Sequence, residues 1–100
     1  METKAIFVTG GSGGMGLETG RRFLEAGWRV GLFDVSAAGL RDAEASLNSD
    51  RLMTQVLDVT QPEDFAAGVA AFGEFSGQRM DILFNNAGIA PGGVARRDAD

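Results

Sequence analysis

Four short apolar runs alternate with three stretches of helical periodicity: KAIFVT at 4–9, WRVGLF at 28–33, RLMTQVLDV at 51–59 and DILF at 81–84. No other feature constrains the fold as strongly. A helix between two strands returns the second strand parallel to the first, and strands buried on both faces read as nearly continuous apolar runs. The four runs therefore predict four strands. Between the first two, 15–26 reads as a helix with Leu17, Phe23 and Leu24 inward and Glu18, Arg21, Arg22 and Glu25 outward. Gly27 is its expected left-handed stop. Ser36 is a suitable N-cap for a helix reaching about Leu47. Thr60-Gln61-Pro62-Glu63 has the form of a capping box with proline in the first turn, and Phe65, Val69 and Phe72 make one apolar stripe beyond it. The expected class is α/β: a parallel sheet with helices on both faces, four strands in the order 3-2-1-4 and three helices. Residues 91–100 read as loop.

One hundred residues suffice for one domain. The net charge of −5 disfavours nucleic acid and anionic membrane as partners, since both require a clustered positive field. The absence of cysteine and histidine excludes disulfides, thiolate zinc sites, cysteine nucleophiles and imidazole bases. No apolar run approaches the ~20 residues of a membrane span, and the N-terminus lacks a cationic start followed by a long apolar stretch, so a cytoplasmic location is expected.

In sheets of this kind ligands sit beyond the carboxyl ends of the strands. The distinctive residues fall there: Gly10 to Gly16 after the first strand, Asp34 after the second, Asp58 and Val59 after the third, and Asn85-Asn86-Ala87-Gly88 after the fourth. The first turn carries five glycines in the seven positions 10–16, more than a tight turn needs. A helix opening inside such a loop points free N–H groups and its positive dipole end at an anion, and a pyrophosphate fits. By itself the loop satisfies several dinucleotide templates. Gly11, Gly13 and Gly16 fit G-x-G-x-x-G; Gly10, Gly13 and Gly16 fit TG-x-x-G-x-x-G; Gly10, Gly14 and Gly16 fit TG-x-x-x-G-x-G. A Walker loop is excluded, because no Gly-Lys-Ser/Thr follows.

Taken together, Thr9-Gly10-x-x-x-Gly14-x-Gly16, Asp34, Asp58-Val59 and Asn85-Asn86-Ala87-Gly88 closely resemble the N-terminal part of the short-chain dehydrogenase/reductase family, over Lys4 to about Ile89. The resemblance implies a Rossmann-like nicotinamide dinucleotide fold and hydride transfer to or from a carbonyl or hydroxyl of a small-molecule substrate. It implies that Gly10, Ser12, Gly14, Met15 and Gly16 line the pyrophosphate and adenosine ribose. Asp58 would accept from the adenine amino group beside the Val59 backbone. Asn86, Ala87 and Gly88 would follow the other ribose, with Asn85 holding the sheet.

Asp34 lies 18 residues after Gly16, where a carboxylate accepts from a ribose 2′-hydroxyl and repels a 2′-phosphate. No cation stands in the loop or directly after Asp34, which favours NAD(H) over NADP(H). The serine and Tyr-x-x-x-Lys that carry catalysis in the family cannot be assembled here: the chain has no tyrosine, its single lysine is Lys4, and no serine follows Ser76. The expectation is thus the N-terminal part of a single NAD-binding domain, apparently truncated, inactive alone and homo-oligomeric when complete. The alternative is a non-catalytic dinucleotide-binding or association module. A fourth strand left at the edge, with Ile82, Leu83 and Phe84 and no charge among them, is expected to recruit another strand.

Overall fold

A computed structural model describes residues 3–86. β1 (Ala5–Thr9) is buried along its whole length because it forms the centre of the sheet. β2 (Arg29–Asp34), β3 (Leu52–Val56) and β4 (Ile82–Asn85) complete the order β3-β2-β1-β4, all parallel, as the alternation requires.

Alternate residues of β1 and β2 build two cores. Ile6, Val8, Val30 and Leu32 face Leu24 of α1 (Gly14–Glu25) and Leu40 and Ala43 of α2 (Ala37–Leu47). Ala5, Phe7 and Phe33 face Phe72 of α3 (Pro62–Ser76), with Leu57 beside them. Helices thus cover both faces. Among the described residues no helix is long and apolar enough to cross a membrane.

The helix ends follow local chemistry. Gly27 adopts φ +91°, its amide bonds Leu24 and the Trp28 amide bonds the Phe23 carbonyl, while the Phe23 and Trp28 rings meet edge to face at 4.8 Å. This is a Schellman closure with its apolar contact. The Ser36 hydroxyl caps α2 by accepting from the Gly39 amide at 2.9 Å. At the opposite end of the sheet, Arg51 donates to the Leu24 carbonyl and Arg29 to the Phe75 carbonyl, placing cations at the negative ends of α1 and α3.

Three expectations need correction. β3 stops at Val56 instead of Val59. The Leu57 amide still bonds the Asp34 carbonyl, but the chain then turns, sending Leu57 and Val59 into the core rather than along a ladder. The capping box does not form. α3 begins one residue later than the box requires, with Gln61 as its N-cap and no side-chain cap bond, and the Thr60 hydroxyl donates to Asp58. The stripe on α3 is narrower than its spacing suggests: Phe72 is fully buried and Phe65 partly, but Val69 is 36% exposed.

Candidate cofactor site

The glycine loop joins β1 to α1 at the carboxyl end of the sheet. Its Gly11 amide donates to the Phe33 carbonyl at 3.1 Å, tying the loop to the end of β2. Gly16 is buried, and a Cβ there would lie 2.2 Å from the Gly10 carbonyl oxygen, so the helix begins in direct contact with the turn that feeds it. Gly14 has the opposite surroundings. It holds φ +52°, and a Cβ on it would meet nothing within 4 Å. No acidic residue lies in the first turn of α1, and its N-cap, Gly13, supplies no side chain. The positive end of α1 is therefore bare and open, the form of an anion site.

Asp34, the last residue of β2, adjoins this loop. Its Oδ2 accepts from the Ser12 hydroxyl at 2.7 Å and the Ser12 amide at 3.1 Å, and its Oδ1 accepts from the Ser36 amide at 3.2 Å. Burial pushes the Asp34 carboxyl up, but the Ser12 bonds, with the Ser36 and Val35 amides, outweigh it and hold the group below the usual range. Among the described residues no lysine or arginine pairs with it.

A depressed carboxylate stabilises the fold fully above its unfolded pKa of about 3.9 and loses that contribution as pH falls through the lower folded value. Stability is accordingly expected to hold from pH 7 to about pH 4.5 and decline below pH 4. Ser12→Ala should lower stability on the plateau and shrink the acid-linked loss. Urea denaturation at several pH values measures both; identical pH profiles would remove Ser12 as the cause.

Asp58 stands beyond β3, next along the same edge. Its Oδ1 accepts from the Thr60 hydroxyl at 2.7 Å and the Thr60 amide at 2.9 Å, and these bonds hold its carboxyl below the usual range. Val59 turns its side chain into the Phe7–Phe33–Phe72 core. On the far side of β1, Asn86 donates to the Gly10 carbonyl at 3.3 Å, and Asn85 accepts from the buried Thr9 hydroxyl at 2.9 Å. Met15 is 63% exposed. Asp58, Asp34, the loop and Asn86 thus form one arc across the sheet order, although Asn86 also anchors the loop itself. Ala87 and Gly88 lie outside the described residues. Among the described residues no group of three or more His, Cys, Asp or Glu side chains could hold a metal ion.

Two participants escape the sequence reading. Thr9, quoted above only as the opening of the glycine motif, is the buried partner of Asn85; the signal for that role is a polar residue ending an apolar strand. Gly39 sits in the first turn of α2, where a Cβ would lie 2.7 Å from the Ser12 hydroxyl oxygen. Its signal is a glycine inside a helix that alanine would favour by roughly 1 kcal/mol.

A model of the short chain dehydrogenase family matches residues 4–100. Levodione reductase of Leifsonia aquatica is 36% identical over 90 residues, covering 86% of this chain and 33% of that protein. The crystal structure of actinorhodin polyketide ketoreductase with NADPH superposes with a TM-score of 0.81 at 31% identity, over 97% of this chain and 40% of that one. A 3-ketoacyl-(acyl-carrier-protein) reductase from Brucella melitensis, complexed with NADH, gives a TM-score of 0.76 at 28% identity over 82% of this chain and 33% of that one. The chain spans about a third or less of the length of the curated relatives it matches. Since the match runs through all four strands, from the start of β1 past the end of β4, the chain belongs to the short chain dehydrogenase family.

Proposed function

We propose that the chain is the cofactor-binding part of an NAD(H)-dependent oxidoreductase. The observation that carries this reading is Asp34. It ends β2 beside the glycine loop, is held ionised by Ser12, and has no cation paired with it among the described residues. A carboxylate so placed accepts from a ribose 2′-hydroxyl and repels a 2′-phosphate. Family likeness alone does not choose, because solved relatives carry NADH in one case and NADPH in another.

In this reading Gly10, Ser12, Gly14, Met15 and Gly16 enclose the pyrophosphate and adjoining ribose at the start of α1. Asp58, with the Val59 backbone, meets the adenine. Asn86, Ala87 and Gly88 follow the second ribose. The bound nicotinamide supplies hydride chemistry toward a small carbonyl or hydroxyl substrate. With no tyrosine and only Lys4, these hundred residues hold no Ser/Tyr/Lys set, so proton transfer falls to residues elsewhere in a longer, homo-oligomeric protein. A Ser and Tyr-x-x-x-Lys in the coding sequence that follows would agree with this; an immediate stop codon would favour a non-catalytic binding module.

Calorimetry with NADH and NADPH tests the cofactor choice, and a preference for NADPH would sink it. Asp34→Ala with Ser36→Arg should move preference toward NADP(H) by roughly 1–3 kcal/mol, since the pair removes a repulsive carboxylate and adds a cation. The same double change removes the α2 cap and costs about 1 kcal/mol of stability. An unchanged affinity ratio would place specificity elsewhere.

A further inference from the structure

The glycine loop, the end of β2 and the first turn of α2 meet at the Ser12 side chain. Ser12 donates twice to Asp34 Oδ2, through its hydroxyl at 2.7 Å and its amide at 3.1 Å. Behind Ser12 stands Gly39, the third residue of α2. A methyl group there would come 2.7 Å from the Ser12 hydroxyl oxygen and 2.8 Å from its Cβ, well inside van der Waals contact. Ser36 closes the circuit: its amide donates to Asp34 Oδ1, and its hydroxyl accepts from the Gly39 amide.

Each bond alone is ordinary. Joined, they make the presentation of Asp34 depend on a glycine five residues further on, whose own bond is to Ser36. A carboxylate on a strand end rotates freely unless donors fix its plane. Ser12 fixes that plane from one side only while it sits flat against α2, and it sits there only because position 39 has no side chain. Asp34 Oδ1, bonded to the Ser36 amide, remains the oxygen able to accept one more hydrogen bond.

We propose that Ser12 and Gly39 are positioning residues: the bare first turn of α2 seats Ser12 against Asp34, and this latch holds the carboxylate oriented to receive a single hydroxyl of the bound nucleoside. The ligand half of this inference rests on the NAD(H) reading above. The latch itself is a property of the chain without ligand.

The test compares Gly39→Ala, Ser12→Ala, Ser12→Gly, the double variant Ser12→Gly/Gly39→Ala, and Asp34→Ala. Helicity by circular dichroism should be kept or raised in Gly39→Ala, since alanine is the better helix former. Carbon NMR of the Asp34 carboxyl, read against pH without cofactor, should show its midpoint rising in both Gly39→Ala and Ser12→Ala. In the Ser12→Gly background, Gly39→Ala should add little further rise, because the two closest atoms, those of the Ser12 side chain, are gone and only the Ser36 hydroxyl, 3.1 Å from the new methyl, has to adjust; an effect of the alanine that does not pass through Ser12 would persist there in full. Affinities for NADH and NADPH should show the preference falling about tenfold in Gly39→Ala and Ser12→Ala, the scale of one hydrogen bond to a charged group.

A folded Gly39→Ala variant with an unmoved Asp34 midpoint overturns the latch. So does a Ser12→Ala variant that keeps full cofactor preference while Asp34→Ala loses it. A raised midpoint with no change of preference even in Asp34→Ala upholds the latch and refutes the ribose reading of Asp34. Should Gly39→Ala fail to fold, the Ser12→Ala variant still tests the bond at the centre of the latch, and an unmoved Asp34 midpoint in it overturns the proposal.

Discussion

Gly14→Val should give a folded chain that has lost its dinucleotide, whereas Gly16→Val should lose both ligand and loop. The two glycines lie two residues apart in one helical turn, yet their surroundings are opposite. A side chain at Gly14 projects into open space but from φ +52°, a conformation that costs an L-residue roughly 1–2 kcal/mol and a β-branched one more. The fold should survive that. The dinucleotide should not, because the isopropyl group would stand over the bare start of α1. Two lost bonds between phosphate and backbone amides, at roughly 1.5–3 kcal/mol each, already amount to more than a hundredfold. At Gly16 the new Cβ would fall 2.2 Å from the Gly10 carbonyl oxygen, the same oxygen that Asn86 holds. Either α1 or the loop must move, at a cost of about 3 kcal/mol or more. Urea denaturation and calorimetry with NADH separate the cases. A Gly14→Val chain that binds tightly would refute the loop geometry; a Gly16→Val chain with normal stability would show that α1 yields easily.

Phe7→Ala should be the most damaging change to the core. Phe7 is fully buried in the central strand. Its ring stacks on Phe33 at 4.0 Å, meets Phe72 edge-on at 5.5 Å and lies 5.7 Å from Phe65. Gly31, its partner in β2, has no side chain because the Phe33 and Phe72 rings fill that space. Removing the ring from such a cluster costs about 3–5 kcal/mol, a large part of the 5–15 kcal/mol that holds a typical domain folded. For a chain of this size that lowers the melting temperature by roughly 15 °C or more. Thermal unfolding followed by circular dichroism measures it. A loss below about 1 kcal/mol would mean that the cluster closes over the gap.

The strands were legible because KAIFVT, WRVGLF and DILF are mostly apolar; burial on both faces explains that pattern in β1 and β2, whereas β4 stands at the edge with Ile82 and Leu83 exposed. The position of Asp34 followed from the same reasoning, since it directly follows such a run. What could not be read was competition among neighbours. Thr60 and Glu63 have the spacing of a capping box, but the helix starts one residue later, at Gln61 as N-cap, while Thr60 bonds Asp58 two residues upstream. The apolar Leu57 and Val59 extend the appearance of β3, while the backbone has already left the ladder. Likewise, Ser12 and Asn86 were legible as residues that could face a ligand. Spacing along a chain does not show that Asn86 is bonded to Gly10, or that Ser12 is pinned between Asp34 and Gly39.

The β1–β4 pairing also sets the timing of assembly. Thr9 with Asn85, Ala5 with Asp81 and Gly10 with Asn86 are each separated by 76 residues. Of the four strands, β1 is made first, yet its second neighbour is the one made last. At 5–20 residues per second a ribosome needs roughly 4–15 s to deliver β4 after β1 has appeared. Throughout that interval the β1 edge that β4 will cover has no strand partner, although α1 and α3 can already pack on its faces. Pairings this distant also bear the loop-closure entropy that slows folding, so β4 docks late on the pathway. Thr9→Val, which deletes the hydroxyl bond to Asn85, should then speed unfolding and leave the refolding rate nearly unchanged. The strand that gives the sheet its centre thus keeps one edge unpaired until the fourth strand arrives.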